Sequence, residues 1–348
     1  MEKGSIAIIG RVAEGVDLYD GQTVTTRILR DELRKSFDDT KIICVDTYQY
    51  KRHLMRCFLN TLNALLQCEH LIILLSRNGC RFYFPFLYYA NKLLHRKIYH
   101  RVIGGNLGGG VEQYPVWVKY LNSFSVNWVE GTAQLNQLVN LGITNAVETY
   151  TFRNSQIITQ SEFPDYTGAP YRFCTFCRVT KSKGISEAIH AVMRINQMRG
   201  DIAKLDIYGP LEEPYRQEFE ELLALAGDSV RYMGSVPPEK SVDTLKDYFV
   251  HLFPTTWKGE GMPGTLVDAF ASGLPTIATD WNQNADVLTE GVTGFCYDWR
   301  KPELLAEKML YAIDHPGQIA EMRFSCIKEA EQYTPDVVME QIIREIEK

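Results

Sequence analysis

The chain has 348 residues, of which 45% are hydrophobic and 23% charged, and its formal net charge is −6. A chain of this length is longer than a domain with a single hydrophobic core usually is, and it fits two domains. The composition excludes a low-complexity chain, and the negative charge disfavours a nucleic-acid partner. No apolar run approaches the roughly 20 residues that span a bilayer, and the N-terminus lacks a signal-peptide pattern. We therefore expect a cytoplasmic protein.

Short apolar runs alternate with longer helical patterns, which predicts doubly wound α/β architecture in both halves. The expected strands are 5–9, 41–45, 71–75 and 98–103, followed by 173–177, 205–208, 250–253 and 276–278. The polar stretch 152–170 contains two prolines and is the expected linker. The domains are accordingly placed at 1–155 and 165–332.

A first candidate ligand contact follows the first strand. The run Asp20-Gly21-Gln22-Thr23 opens a helix, and Gly21 would let the backbone approach a ligand at the helix N-terminus. The alternative is an ordinary turn and helix cap.

Basic and aromatic residues cluster in the first half, which carries more Lys and Arg than Asp and Glu. Two interpretations stay open. One is an amphipathic basic surface for anionic lipid or a lipid-diphosphate acceptor, and the other is an aromatic core bordered by solvated cations. The residues concerned are Lys51, Arg52, Arg56, Phe58, Arg81, Phe82, Tyr83, Phe84, Tyr88, Tyr89, Lys92, Arg96 and Lys97.

The glycine-rich run VIGGNLGGG, residues 102–110, follows the fourth expected strand. The first βα turn lacks the G-x-G-x-x-G fingerprint, so we reject a nicotinamide site. Gly104 and Gly105 would permit close approach of a ligand, and a flexible turn is the alternative.

Two cations follow the strand expected at 173–177. Arg178 comes directly after it, and Lys183 precedes Gly184 and an amphipathic helix. At the carboxyl end of a parallel strand such a pair would neutralise a diphosphate and stabilise it as a leaving group. Cys174 and Cys177 form a C-x-x-C, but no second pair or histidine cluster accompanies it, so buried free thiols fit better than zinc or redox chemistry.

The segment KGEGMPGTLVDAFASG, residues 258–273, joins a short strand to a helix through a glycine-rich turn. Unpaired N–H groups at the helix N-terminus suit a phosphate. Glu260 lies at the mouth of the turn and Asp268 one turn into the helix, where their carboxylates can accept hydrogen bonds from sugar hydroxyls. No D-x-D occurs, which removes the usual carboxylate pair for a nucleotide-bound metal.

This segment resembles the E-x7-E signature of retaining, nucleotide-sugar-dependent glycosyltransferases of family 4, with Asp268 where the family more often has Glu. The resemblance extends to RVTKSKG at 178–184, DIYG at 206–209, MGSVP around Val236 and GLPTIATDWNQNADVLTEGVTGF at 273–295. It implies a GT-B fold of two facing Rossmann-like domains with a cleft between them. It also implies that the helix at about 335–348 packs back on the first domain.

The resemblance implies a function as well: metal-independent transfer of a sugar, with retention, from a nucleoside-diphosphate sugar to a glycan or lipid-linked hydroxyl. UDP-sugars are the favoured donors, no further cofactor is expected, and surface or capsular polysaccharide synthesis at the inner face of the membrane is the expected setting. The implied catalytic residues are Glu260, Arg178 and Lys183, with Gly104, Gly105 and Asn106 on the acceptor side. The implied donor contacts are Gly21, Gln22, Gly209, Val236, Gly261, Met262, Pro263, Gly264, Thr265 and Asp268.

Two other functions stay open. The Asp268 departure favours a catalytically silent partner that binds a glycan or a true transferase. A sugar-nucleotide epimerase of the same architecture is the second.

Overall fold

The computed structural model describes residues 5–37, 42–165 and 168–348. The chain divides into two compact units, with breaks between Arg153 and Asn154 and between Thr334 and Pro335. The first unit holds the residues before the first break together with Pro335–Lys348, and the second holds the residues between the breaks. Each unit is a six-stranded parallel sheet with helices packed on it, so the predicted α/β class is confirmed.

The sheet of the first unit has the strand order β2-β1-β3-β4-β5-β6. Its strands are β1 Ile6–Gly10, β2 Ile42–Asp46, β3 His70–Leu74, β4 Lys97–Arg101, β5 Val126–Glu130 and β6 Ala146–Thr149. Its helices are α1 Gly21–Ser36, α2 Leu54–Gln67, α3 Arg77–Leu94, α4 Leu107–Gln113, α5 Trp117–Leu121, α6 Thr132–Asn140 and α14 Pro335–Glu347.

Alternation along the strands of this sheet gives it two apolar faces. Ala7 and Ile9 of β1 belong to the cluster that α2 and α3 cover, whereas Ile6 and Ile8 belong to the cluster that α1 and α14 cover. Helix α14 contributes Val338, Met339, Ile342 and Ile346 to that second cluster.

The second unit has the strand order β12-β11-β10-β7-β8-β9. Its strands are β7 Tyr171–Phe176, β8 Ala203–Tyr208, β9 Val230–Gly234, β10 Val250–Phe253, β11 Thr276–Thr279 and β12 Gly294–Tyr297. Its helices are α7 Ile185–Arg199, α8 Arg216–Ala226, α9 Ser241–Leu245, α10 Gly264–Ala271, α11 Asn284–Val287, α12 Glu303–Asp314 and α13 Pro316–Ala330.

The expected linker, 152–170, is tied to the second unit over part of its length. Ile158 is buried, and its N–H donates to the carbonyl of Ala271 at 3.0 Å. Tyr166 and Thr167 of this stretch, and Lys41 of the expected second strand, lie outside the described residues. Within the described ranges no helix combines the length and apolar character that crossing a membrane requires.

Candidate active site

The candidate site lies where the strand order of the second unit changes direction. β7 and β10 are neighbours in the sheet, and the strand that follows β7 in sequence lies on one side of this pair while the strand that follows β10 lies on the other. Such a switch point leaves a crevice at the carboxyl ends of the two strands, where α/β proteins bind ligands. Arg178 and Lys183 follow β7, and Glu260 follows β10, so the topology brings the two predicted motifs together.

Lys183 and Glu260 form a nearly buried ion pair at this point. Lys183 Nζ donates to Glu260 Oε2, and the two side chains are only 9% and 11% exposed. The hydroxyl of Thr255 donates to the same carboxylate oxygen at 2.9 Å. A buried cation is stable only with such partners, so the loops after the two strands are coupled through this pair.

Close backbone packing explains how the two loops meet. Thr256 N–H donates to the carbonyl of Ser182 at 2.8 Å. Gly184 has a φ of +71°, and a Cβ there would lie 2.1 Å from the carbonyl oxygen of Pro254. Only glycine satisfies both conditions, so Gly184 places Lys183 against the loop that carries Glu260.

Arg178 is more open than Lys183 and is held by two contacts. Its Nη1 donates to Glu212 Oε1 at 2.5 Å, and its guanidinium carbon lies 5.2 Å from the ring centroid of Trp257. Glu212 is in reach because Val179 and Leu211 pair as a parallel bridge beyond β7 and β8. The planar guanidinium is thereby oriented with part of its surface accessible, as phosphate binding requires.

Helix α10 begins beside the same strand end. Thr265 Oγ1 donates to the carbonyl of Phe176 at 2.6 Å, which fixes the first turn of α10 at the end of β7. Pro263 occupies the N-cap position and no side chain caps the helix. Gly264 and Thr265 are half-buried. The amides of this turn therefore have the position and polarity for a phosphate group.

The remaining residues of the turn are more enclosed. Gly261 is buried, and the side chain of Met262 packs in the apolar cluster that contains Leu266. Asp268 lies in the fifth position of α10 and is 7% exposed. Ser155 Oγ donates to its Oδ1 at 3.1 Å. The Asp268 carboxylate, which the sequence assigns to a sugar hydroxyl, thus already has a partner within the second unit.

The first and last residues of the DIYG run differ in position: Gly209 follows the carboxyl end of β8, on the side of the candidate site, whereas Asp206 lies within β8. Gly209, with a φ of +131°, abuts the carbonyl of Cys177, 1.8 Å from where its Cβ would lie. Asp206 is buried, and its carboxylate accepts hydrogen bonds from Arg172, Arg231 and the hydroxyl of Tyr248. Burial alone would raise the pKa of Asp206, but these hydrogen bonds outweigh it and hold the pKa below its usual range.

Val236 lies in the loop after β9 and is half-buried against the cluster that contains Tyr208 and Tyr248. The N–H of Gly209 at the end of β8 donates to the carbonyl of Gly234, and Val236 comes two residues after Gly234. Val236 is therefore near the end of β8.

The predicted residues of the first unit lie at the ends of β1 and β4. Gly21 is the first residue of α1 and has open space where a Cβ would be, and Asp20 caps the helix by accepting from Thr23 N–H. Gln22 is buried, and its amide donates to the carbonyl of Leu74 at 2.8 Å. The Gln22 side chain therefore holds β3 to α1.

The VIGGNLGGG run divides into two parts. Gly104, with a φ of +78°, Gly105 and Asn106 form the half-buried loop between β4 and α4. Gly108 and Gly110 lie inside α4, and a Cβ at either position would collide with Gln137 or Trp117. The second part of the run thus serves helix packing, and only the first part is open to a ligand.

All eight cysteines are free thiols. Burial raises the pKa of the Cys177 thiol to about 11, so this residue is not poised as a nucleophile. Across the described ranges no three His, Cys, Asp or Glu side chains are grouped for a metal ion.

Several residues of the candidate site were not predicted from the sequence. Thr255, Trp257 and Glu212 contact Glu260 or Arg178, and Asn282 donates to the carbonyl of Glu260 at 3.2 Å. Glu212 and Asn282 lie on other loops than the residues they contact, and Thr255 and Trp257 belong to no motif that the sequence indicates.

Residues 163–333 match the family described as "Glycosyl transferases group 1". A stretch of 113 residues, 32% of this chain, is 34% identical to the UDP-N-acetylglucosamine–peptide N-acetylglucosaminyltransferase GtfA subunit of Streptococcus agalactiae and covers 21% of that protein. The chain is also 27% identical over 139 residues to the amylovoran biosynthesis glycosyltransferase AmsK of Erwinia amylovora, a match that covers 38% of this chain and 33% of AmsK. The chain thus matches about a fifth to a third of the length of these relatives.

The structure of Anabaena HepE in complex with UDP superposes with a TM-score of 0.75, at 13% identity and with 98% of each chain covered. At this identity the likeness shows the fold. The two units together have the GT-B fold, as expected, and the match to group 1 glycosyl transferases falls within the second unit and its borders, at residues 163–333.

Proposed function

We propose that this protein is a family 4 glycosyltransferase that transfers a sugar, with retention of the anomeric configuration, from a nucleoside-diphosphate sugar to a hydroxyl of a glycan or lipid-linked acceptor. One observation carries the proposal: Lys183, Glu260 and Arg178 meet at the switch point of the second unit, beside the N-terminus of α10.

Each group at this point suits one part of the donor. Arg178 and the first turn of α10 would hold the diphosphate, and Lys183 would neutralise charge on the departing phosphate. Glu260 would accept a hydrogen bond from a hydroxyl of the transferred sugar, and Asp268 one from the ribose. Lys183 and Glu260 hold each other in place before the donor arrives, which preorganises both.

In the reaction, the bond between the anomeric carbon and the leaving phosphate oxygen breaks, and the acceptor oxygen forms a bond on the same face. The acceptor proton passes to the leaving phosphate oxygen. The charge that develops on the diphosphate is met by two fixed cations and by helix amides, so the reaction proceeds without a metal ion.

The similarity to AmsK, which is named for amylovoran biosynthesis, supports a biosynthetic acceptor, and the names of the GtfA relative and the HepE complex support a UDP-sugar as donor. Free thiols throughout the chain support a reducing compartment, the cytoplasm. The first unit would present the acceptor, with Gly104, Gly105 and Asn106 as acceptor-side residues and with Gly21 and Gln22 as candidate donor contacts.

Saturation-transfer NMR against UDP-, GDP-, dTDP- and ADP-sugars, with and without EDTA, tests the proposal. One donor should bind, EDTA should have no effect, and Arg178→Gln should weaken binding at least about tenfold. Lys181→Gln is the control, since Lys181 is an exposed cation three residues away that pairs with Glu218.

Other outcomes would select a different function. Binding of no donor favours the silent partner, and isomerisation of the sugar without acceptor favours the epimerase. A product of inverted configuration, read from the coupling of its anomeric proton, would contradict retention.

A further inference from the structure

Helices α2 and α3 lie side by side on one face of the first sheet. The ring centroids of Phe58 on α2 and Phe86 on α3 are 4.9 Å apart. Toward the sheet, α2 buries Cys57, Ala64 and Leu65 in the same cluster that receives Tyr83, Phe84 and Leu87 of α3. Each helix therefore already has a complete apolar stripe that faces the core.

Each helix carries a second apolar stripe that faces away from the core. On α2 it contains Met55, Leu59 and Leu66, which are 70%, 54% and 58% exposed. Their spacing of four and seven residues places them along one line of the helix surface. The solvation of a single exposed leucine is ordinary, but a full stripe on a helix indicates a binding surface.

The stripe on α3 has the same length. Phe82, Phe86, Tyr89 and Leu93 are spaced four, three and four residues apart, and Tyr89 and Leu93 are 59% and 83% exposed. Phe86 is half-buried because Phe58 covers it. The two stripes thus form one apolar surface, which we call the α2/α3 face: Met55, Leu59, Leu66, Phe82, Phe86, Tyr89 and Leu93.

Cations flank this face, and three of them form no ion pair with a carboxylate of the described residues. Residues 50–97 contain eight Lys and Arg residues and one acidic residue, Glu69. In the described part of the chain no carboxylate forms a salt bridge with Arg56, Arg81 or Lys92. Arg81 lies over the ring of Tyr114, and Lys92 over the rings of Tyr88 and Tyr89, so their charges stay at the surface.

We infer that the α2/α3 face docks on an anionic membrane surface, with both helices parallel to the bilayer. Exposed aliphatic and aromatic side chains would enter the boundary between headgroups and acyl chains, and the flanking cations would bind lipid phosphates. The inference stands apart from glycosyl transfer, because none of these residues belongs to the candidate active site.

Charge favours a membrane over a second copy of the chain. A two-fold symmetric dimer through this face would set its cations against the same cations of the other copy, which is repulsive. An anionic leaflet neutralises them all.

Co-sedimentation of the full chain with vesicles tests the inference. Vesicles of phosphatidylcholine with about 30% phosphatidylglycerol should bind the protein, and pure phosphatidylcholine should bind it at least about tenfold more weakly. The triple variants Met55→Gln/Leu59→Gln/Leu93→Gln and Arg56→Gln/Arg81→Gln/Lys92→Gln should each lose about tenfold in partitioning.

A matched control replaces three exposed apolar residues of other helices, Met198→Gln/Leu225→Gln/Val337→Gln, and should bind vesicles like the wild type. Circular dichroism and the thermal midpoint show that each variant is folded. Failure of the wild type to bind anionic vesicles, or unchanged binding by both face variants, overturns the inference. The inference is also overturned if light scattering shows a dimer of the wild type that the apolar variant dissociates, and this variant still binds vesicles.

Discussion

The side chains of Lys183 and Glu260 lie against each other although 77 residues separate them in the chain, and both are nearly excluded from solvent. Removing either partner leaves a buried unpaired charge, so Lys183→Met and Glu260→Gln should each lower the free energy of unfolding by about 3 kcal/mol. The double variant should lose less than the sum, and urea unfolding of all four proteins measures the difference.

The same variants separate stability from catalysis. Turnover of the donor should fall at least about 100-fold in each single variant and should not recover in the double variant, because the phosphate and the sugar each lose a specific contact. Strictly additive unfolding free energies would show that the two side chains do not interact in solution.

Gly184 should not tolerate a side chain. Gly184→Ala combines a positive φ with a Cβ that collides with the Pro254 carbonyl, so we expect a loss of at least about 2 kcal/mol in stability and reduced donor binding. Gly291→Ala is the control, because Gly291 has a φ of +73° but nothing within 4 Å of its Cβ position, and should cost about 1 kcal/mol. Equal losses would mean that backbone strain alone matters.

Trp257 should act through Arg178. Trp257→Leu removes the ring beneath the guanidinium, and we expect the Kd for the donor to rise about threefold to fivefold with little change in unfolding free energy. Tyr311→Leu, a comparably exposed aromatic on α12, should leave the Kd unchanged. Donor titrations by calorimetry measure the Kd of both variants. If Trp257→Leu still raises the Kd when Arg178 is already replaced by Gln, Trp257 does not act through Arg178.

His251 should make the protein sensitive to acid. Burial lowers its pKa to about 3, whereas an unfolded histidine titrates near 6.5. The unfolded state therefore binds the proton more readily, and the stability that is complete above about pH 6.5 is lost as the pH falls toward 3.

Replacing this histidine together with its hydrogen-bond partner should remove that contribution. In His251→Leu/Thr276→Val the slope of unfolding free energy against pH, between about 6.5 and 4, should decrease by about 1.4 kcal/mol per pH unit. The exposed His190→Gln is the control and should not change the slope. An unchanged slope in the double variant would contradict a neutral buried His251.

Apolar runs predicted most interior strands and the edge strand β2, but they missed the other three edge strands. The runs at 250–253 and 276–278 correspond to β10 and β11 within one residue, since both strands are buried on both faces. β6, β9 and β12 lie at sheet edges, and β9 is mostly exposed, so no apolar run indicated them. β5 was missed because Asn127 and Glu130 interrupt it, and Asn127 is buried through its hydrogen bonds.

The site divides in the same way. The sequence indicated Arg178 and Lys183 as a cation pair after a strand, and Glu260 as a carboxylate in a glycine-rich turn before a helix. It could not indicate Glu212, whose contact with Arg178 depends on β8 lying beside β7, or Thr255, a common residue type whose hydroxyl reaches Glu260 only through the folded shape of the loop after β10. It also could not show that Asp268 is enclosed with Ser155.

Helix α14 follows the second unit in the chain yet belongs to the apolar cluster of the first. During synthesis, residues 154–334 can complete their own core before Met339 and Ile342 are available to pack with Ile8 and Leu29. The first unit emerges first but matures last, and until α14 leaves the ribosome the part of the sheet that α1 does not cover is accessible to chaperones and to misassembly.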